Sequence, residues 1–257
     1  MKKNMPVLLV ISGLDPSNHA GYGSDIRIAT SIGVHPVGVI TALTAQNPVR
    51  FEKAYSLPSS LVQHQLTHLL SYYSVQTVKI GMVYSPGICR IISEVIKKIK
   101  MPVITDTVLT ASRGGTLLKT EAWNAYHEVL RSSDLITPNI PEAMKLAATN
   151  HSDPRELCAR LHDLYGAAVL VKGGHSKGNI LVDWYHDGRD YCSWKRKRVS
   201  GVNTHGTGCM LSSAIAAFRA RGYSLIRSIH LAEEFLTRNF KNSVRIQSDL
   251  FLPFFAG

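Results

Sequence analysis

Residues 203–209 read NTHGTGC, a polar turn punctuated by two glycines, and from Met210 onward the residues are helix formers. The first N–H groups of a helix have no intrahelical partner, and the macrodipole adds partial positive charge there. Glycines let the backbone approach an anion closely. Gly206, Thr207, Gly208 and Cys209 are thus placed to aim N–H groups at a transferring phosphate and to stabilise its developing charge. A cysteine at such a helix start is expected to have a lowered pKa, so that it can accept the proton of an attacking hydroxyl. Taken alone, the stretch reads more readily as a glycine turn with an inert thiol.

Other residues carry compatible chemistry. In TPNIPEA (137–143), Asn139 and Glu142 are three apart, and Pro141 suits a first helical turn. A carboxylate there suits Mg²⁺, directly or through water, although it could equally complement the helix dipole. In VKGGH (171–175), Lys172 stands beside two glycines at a strand exit, placed for a nucleotide phosphate or simply leaving an ordinary strand. SGLDPSNHAGYGSD (12–25) sets Asp15, His19, Ala20, Gly21 and Asp25 around a turn into a helix. Gln46 ends a strand, and its amide both donates and accepts, which suits an aminopyrimidine edge. Met82 offers an apolar contact to a flat ring, or fills a core. No Walker A pattern occurs, and GYGSD lacks the third glycine of a dinucleotide fingerprint.

The elements that must position these groups alternate along the chain. Apolar runs at 6–12, 37–44, 77–83, 102–108, 134–139 and 167–174 read as buried strands. Helical stretches lie between them, at about 21–33, 58–73, 86–98, 119–131, 140–148 and 153–165. This alternation predicts a mostly parallel sheet covered on both faces, with ligands beyond the carboxyl ends of its strands. Residues 179–202 read as an antiparallel hairpin turning at Asp187-Gly188, followed by helices at about 207–221 and 224–243. Ser224 is the candidate N-cap of the second. The apolar tail SDLFLPFFAG is expected to dock on the body or on a partner.

The totals bound the function. The 257 residues, 45% hydrophobic and 18% charged, are expected to form a single domain, 1–257. No apolar run approaches the roughly 18 to 20 residues that span a bilayer. The N-terminal apolar run lacks a small-residue cleavage site and reads as a first strand, so the cytoplasm is the expected compartment. Four cysteines without metal-ligand spacing argue against zinc and against a disulfide framework. The formal charge of +11 favours anionic partners. Its densest run, Lys195 to Arg198, comes with no nucleic-acid-binding motif and reads as a solvated face.

Taken in order, SGLDPSNHAGYGSD, VITALTAQN, VKIGM, TPNIPEA, VLVKGGH and VNTHGTGC resemble the hydroxymethylpyrimidine/phosphomethylpyrimidine kinases, a family of the ribokinase-like superfamily. The resemblance runs from about residue 8 to 240. It implies a three-layer αβα sandwich and ATP-dependent phosphorylation of 4-amino-5-hydroxymethyl-2-methylpyrimidine and then of its monophosphate, in thiamine biosynthesis. A vitamin B6 kinase is the neighbouring alternative, since both substrates are flat heteroaromatic alcohols; a non-catalytic, anion-binding relative is a third. The resemblance assigns Gln46 to the aminopyrimidine, with Ala20, Met82 and Asp25 around it. Cys209 becomes the base, and Gly206, Thr207 and Gly208 the anion hole. Lys172 and Asn139 would meet ATP, and Glu142 with Asp106 would place Mg²⁺. A homodimer is implied, without a nucleic-acid or membrane partner. This chain departs from the family's pattern at Asn18 and His19, which stand where glycines are usual and are expected to add bulk near the substrate, and at Met210, where threonine is usual.

Overall fold

Strand β1 (Val7–Leu14) is apolar without alternation because both of its faces are covered, as in a central parallel strand. The structure is a computed structural model. It describes residues 4–111, 114–174, 179–197, 207–241, 243–247 and 250–252, with Thr207 and residues 245–247 and 250–252 described in the backbone alone. The sheet around β1 comprises β2 (His35–Gln46), β3 (Phe51–Ser56), β4 (Val75–Ile80), β5 (Val103–Thr105), β6 (Leu135–Ile136), β7 (Ala168–Val171), β8 (Ile180–His186) and β9 (Tyr191–Lys197). Their spatial order is β3-β2-β1-β4-β5-β6-β7-β8-β9. The pairs from β2 through β7 are parallel, whereas β3, β8 and β9 each join antiparallel.

Helices cover both faces. Leu9 and Ile11 of β1 point to a core closed by α2 (Ser59–Tyr72), α3 (Pro86–Ile96), α4 (Trp123–Arg131), α5 (Ile140–Leu146) and α6 (Pro154–Tyr165). Leu8 and Val10 point the other way, to a core closed by α1 (Gly21–Ser31), α7 (Thr207–Ala220) and α8 (Leu225–Lys241). The architecture is therefore the αβα sandwich anticipated from the sequence. Helix α7 is buried from Met210 to Phe218, so it is built from small and apolar residues with little polar face.

The alternation placed most elements within a few residues, and the departures have local causes. β4 ends at Ile80 and β5 at Thr105, because the chain turns to bring Met82 and Asp106 to the pocket. β3 was not anticipated: in FEKAYS only Ala54 is buried, so the strand reads as a polar connection. The hairpin β8–β9 turns where expected, with Gly188 at φ 91° and Asp187 Oδ1 accepting the N–H groups of Arg189 and Asp190. Ser224 precedes α8, and its Oγ accepts from the N–H of Arg227 at 3.4 Å. Part of the apolar tail forms β11 (Leu250–Leu252), which pairs with β10 (Val244–Gln247); residues 253–257 lie outside the described residues. Among the described residues no helix is long and apolar enough to cross a membrane.

Candidate active site

The chain runs from β1 to β2 and β3 on one side, then continues from β4 on the other, so the strand order switches between β1 and β4. Ligands of open α/β sheets sit at such a switch, beyond the strands' carboxyl ends. A cavity of about 580 Å³ opens there. It brings together Ala20, Gln46, Met82, Asp106, Asn139, Glu142, Lys172, Gly208 and Cys209, residues spread over almost the whole chain. Gly206 lies outside the described residues.

One end of the cavity is charged. Lys172 Nζ lies 2.6 Å from Asp106 Oδ1, which also accepts from Thr137 Oγ1 at 3.1 Å. Burial opposes the charge on Lys172, but Asp106 and Glu142 beside it hold its pKa above the ordinary value. Helix α7 begins against this lysine: a Cβ at Gly208 would stand 3.0 Å from Lys172 Nζ, so glycine leaves the ammonium room at the helix start. The Cys209 thiol hydrogen-bonds the Asp106 carboxylate. The lowered thiol pKa expected from the helix terminus is not what the site produces. Burial and the neighbouring Asp106 charge outweigh the dipole and Lys79, and push the thiol up to about 12. Cys209 is a neutral thiol at pH 7.

Glu142 caps its helix and also faces the cavity. It closes a capping box on α5: its N–H donates to Asn139 Oδ1 at 2.9 Å, and its Oε2 accepts from the Asn139 N–H at 2.9 Å. It also lines the cavity, with Thr107 Oγ1 donating to Oε2 at 3.1 Å. Burial lifts its carboxyl to about 7, against the pull of Lys172.

The other end is mostly apolar. Met82 is 5% exposed and packs against Gly13, where a Cβ would meet its Sδ at 2.6 Å. Gln46 stands at the end of β2 in the cavity wall. Ala20 lines the wall and donates its N–H to Asp15 Oδ2 at 3.1 Å. Asp25, expected beside a substrate, is turned away from it. Its carboxylate has no exposed surface, pairs with Lys79 Nζ at 2.7 Å and accepts from Ser213 Oγ at 2.6 Å. Asn18 and His19 do not line the cavity either. Asn18 is exposed and folds over Gly23, while the His19 ring turns to the Ser17 carbonyl at 2.9 Å. Met210 is 1% exposed in the α1/α7/α8 core.

Three further contributors were not anticipated. Val108, Leu109, Thr110, Ala111 and Leu117 form an apolar flap after β5, seated on Phe51 of the unforeseen β3. Lys145, one turn beyond Glu142 on α5, lines the charged end, as does Arg196 of the basic run. Strand alternation carried the signal for Arg196, since residues 191–197 alternate exposed and inward.

The chain matches the phosphomethylpyrimidine kinase family over residues 15–252. It is 34% identical over 245 residues to the hydroxymethylpyrimidine/phosphomethylpyrimidine kinase of Aquifex aeolicus, spanning 93% of this chain and 96% of that one. The crystal structure of phosphomethylpyrimidine kinase from Clostridium difficile 630 superposes with a TM-score of 0.79 at 30% identity, over 91% of this chain and 99% of that one. An ADP complex of Bacillus subtilis pyridoxal kinase superposes with a TM-score of 0.87 at 26% identity, over 96% of each chain. With the fold, the switch-point cavity and the sequence match in agreement across nearly its whole length, the chain belongs to the phosphomethylpyrimidine kinase family of ribokinase-like enzymes.

Proposed function

We propose that this chain transfers the γ-phosphoryl group of ATP to the hydroxymethyl group of 4-amino-5-hydroxymethyl-2-methylpyrimidine, and then phosphorylates the monophosphate, as a step of thiamine biosynthesis. The observation that carries the reading is one cavity with two chemically different ends, Gln46 and Met82 at one and Lys172, Asp106, Cys209 and the start of α7 at the other. The Gln46 amide would pair with the aminopyrimidine edge, and Met82 and Ala20 would flank the ring. The N–H groups at the start of α7 would face the transferring phosphoryl group, and Lys172 and Asn139 the nucleotide side.

A thiol that keeps its proton cannot act as a ready thiolate. Phosphoryl transfer through a loose transition state makes the attacking hydroxyl acidic late, so a relay suffices. In that relay the hydroxyl would donate to Cys209 Sγ, whose own hydrogen stays on the Asp106 carboxylate that Lys172 and Lys79 hold ionised, and the hydroxyl proton would leave to an oxygen of the transferred phosphoryl group as the oxygen–phosphorus bond forms. Glu142 and Asp106 are the carboxylates that would hold Mg²⁺. Among the described residues no cluster of three or more His, Cys, Asp or Glu groups could hold a metal. Mg²⁺ takes one or two carboxylates and completes its shell with water and phosphate oxygens, so this sparse donor set fits. When bound, the ion would neutralise charge on the phosphates.

A coupled ATP assay with the pyrimidine alcohol, its monophosphate and pyridoxal tests the reading. Turnover of the two pyrimidines is expected, and failure with both rejects it. The second reading, a vitamin B6 kinase, is favoured by the superposition on the B. subtilis pyridoxal kinase. A higher specificity constant for pyridoxal would establish it in place of the first. We also propose a homodimer, supported by the register partners Leu43 and Tyr55, which leave apolar surface exposed on β2–β3. Sedimentation equilibrium showing a monomer would reject that form.

A further inference from the structure

Strand β9 turns Tyr191, Ser193, Lys195 and Lys197 outward and Cys192, Trp194 and Arg196 inward. Cys192 and Trp194 pack on the α1/α7/α8 core, so an apolar third residue would continue that packing. A guanidinium occupies the place instead. Its Nη1 lies 2.7 Å from Asp183 Oδ2, and 3.0 and 2.8 Å from the two carboxylate oxygens of Glu233. Both acids are buried, Asp183 at 0% and Glu233 at 6% exposed. Replacing such buried ionic groups by apolar ones is often neutral or stabilising, so packing alone is a weak reason for them.

Position supplies the better reason. Arg196 lines the cavity together with Lys172, Gly174 and Gly208. Asp183 links it to that end: while Oδ2 holds Arg196, Oδ1 accepts the N–H of Gly173 at 2.6 Å, the residue after Lys172. One buried carboxylate therefore fixes both the arginine and the turn that carries the lysine. Burial, and after it Asp183, raise the Glu233 carboxyl above the usual range, while the guanidinium of Arg196 pulls it down. Among the described residues every hydrogen bond of the guanidinium runs through Nη1, and an arginine carries five N–H donors.

We propose that Arg196 is a phosphate-binding residue of the nucleotide half of the cavity, a second cation beside Lys172, aimed by Asp183 and Glu233. The inference rests on the kinase reading given above, and it gives the inward residue of the basic run a function in the site.

Calorimetric titration of ADP and of adenosine into wild type, Arg196→Met and the double variant Arg196→Met/Glu233→Leu tests it. The double variant removes the arginine and one of its acids together, so it carries the comparison where the single variant does not fold. The expected result is a Kd for ADP raised about tenfold in the variants, with adenosine changed less than about twofold, the size of one lost charge-assisted contact. KM for ATP should rise while KM for the pyrimidine alcohol stays. An unchanged ADP affinity in a folded variant overturns the inference. Equal weakening of ADP and adenosine also overturns it, because that is the signature of a distorted loop. A wild-type protein that does not bind ADP defeats the nucleotide site as a whole, whereas wild-type binding with indifferent variants defeats Arg196 alone.

Discussion

Cys209 sits where a helix terminus and Lys79 favour a thiolate, while burial, Asp106 and Asp25 favour the thiol, and the second group prevails. In the proposed reaction its contribution would then come from shared hydrogen bonding with Asp106 rather than from stored charge. Cys209→Ala is expected to lower kcat of the first phosphorylation by about a hundredfold, the usual worth of a positioned proton-transfer group, with KM for ATP little changed. A wild-type rate in single-turnover assays would remove the thiol from the reaction. Glu142 makes a pH-dependent claim. Its folded carboxyl titrates at about 7, above the ordinary glutamate value of 4.5, so the folded protein binds more protons than the unfolded chain between those values. The stability this residue contributes is present below about pH 4.5 and is lost as pH rises through about 7. Glu142→Gln should therefore flatten the fall in Tm between pH 5 and 8, leaving the variant about 2–4 °C above wild type at pH 8 for each kcal/mol recovered. Parallel melting curves for the two proteins across that range would contradict it.

At the level of elements, the loop from β1 to α1 shows how a substitution near a site can leave the site's wall intact. Asn18 has φ 56°, a left-handed conformation that glycine adopts freely and that asparagine tolerates better than most residues. The departure from the family's glycine thus preserves the loop's path, with Ala20 and Gly21 still in the cavity wall. Asn18→Val should cost about 1–2 kcal/mol through strain at this φ, while the preference between pyrimidine and pyridoxal stays within about twofold. A changed preference would put the Asn18 side chain back beside the substrate. Some of this organisation was legible in the sequence and some was not, for physical reasons. Buried parallel strands declare themselves as apolar runs, and the polar, glycine-bearing turns after them mark residues that the structure brings to the cavity wall. Asp25 could not be read correctly because its partner, Lys79, is 54 residues away and arrives through sheet topology. The flap after β5 escaped because its few apolar residues are spread through a loop without strand or helix period, although they pack into small buried clusters as well as lining the cavity, and β3 because only one of its side chains is buried. In the sequence Gly208 reads as backbone that lets an anion approach; the structure adds Lys172 Nζ as the neighbour that a side chain would meet. Gly208→Ala should leave the fold intact, since the lysine end can shift, and lower kcat/KM for ATP about tenfold or more as that shift draws Nζ from its place. Unaltered ATP kinetics would show that the close approach has no catalytic consequence.

Over the whole molecule, the positive charge is distributed by role. Lys195 and Lys197 face solvent, whereas Lys79, Lys145, Lys172 and Arg196 converge on or beneath one cavity. The cavity joins residues from β1, β2 and the turn after β4 to residues from α5, the turn after β7, β9 and α7, so the unfolded chain cannot assemble it. Ligands that bind it must therefore stabilise the folded state by mass action. ADP at a hundred times its Kd is expected to add about 2.7 kcal/mol, or a rise in Tm of about 5–10 °C. The pyrimidine alcohol at its own hundredfold excess should add a comparable shift from the opposite end. On the proposed reading, with Gln46 and Met82 at one end and Lys172 and Arg196 at the other, the two ligands would occupy separate parts of one space. Their contributions to stability should then add, within the few tenths of a kcal/mol expected of sites without shared contacts. Thermal melts with each ligand alone and with both together make the comparison. If saturating pyrimidine alcohol abolished the shift produced by ADP, the two would compete for one end, and the division of the cavity into a ring end and a phosphate end would fail.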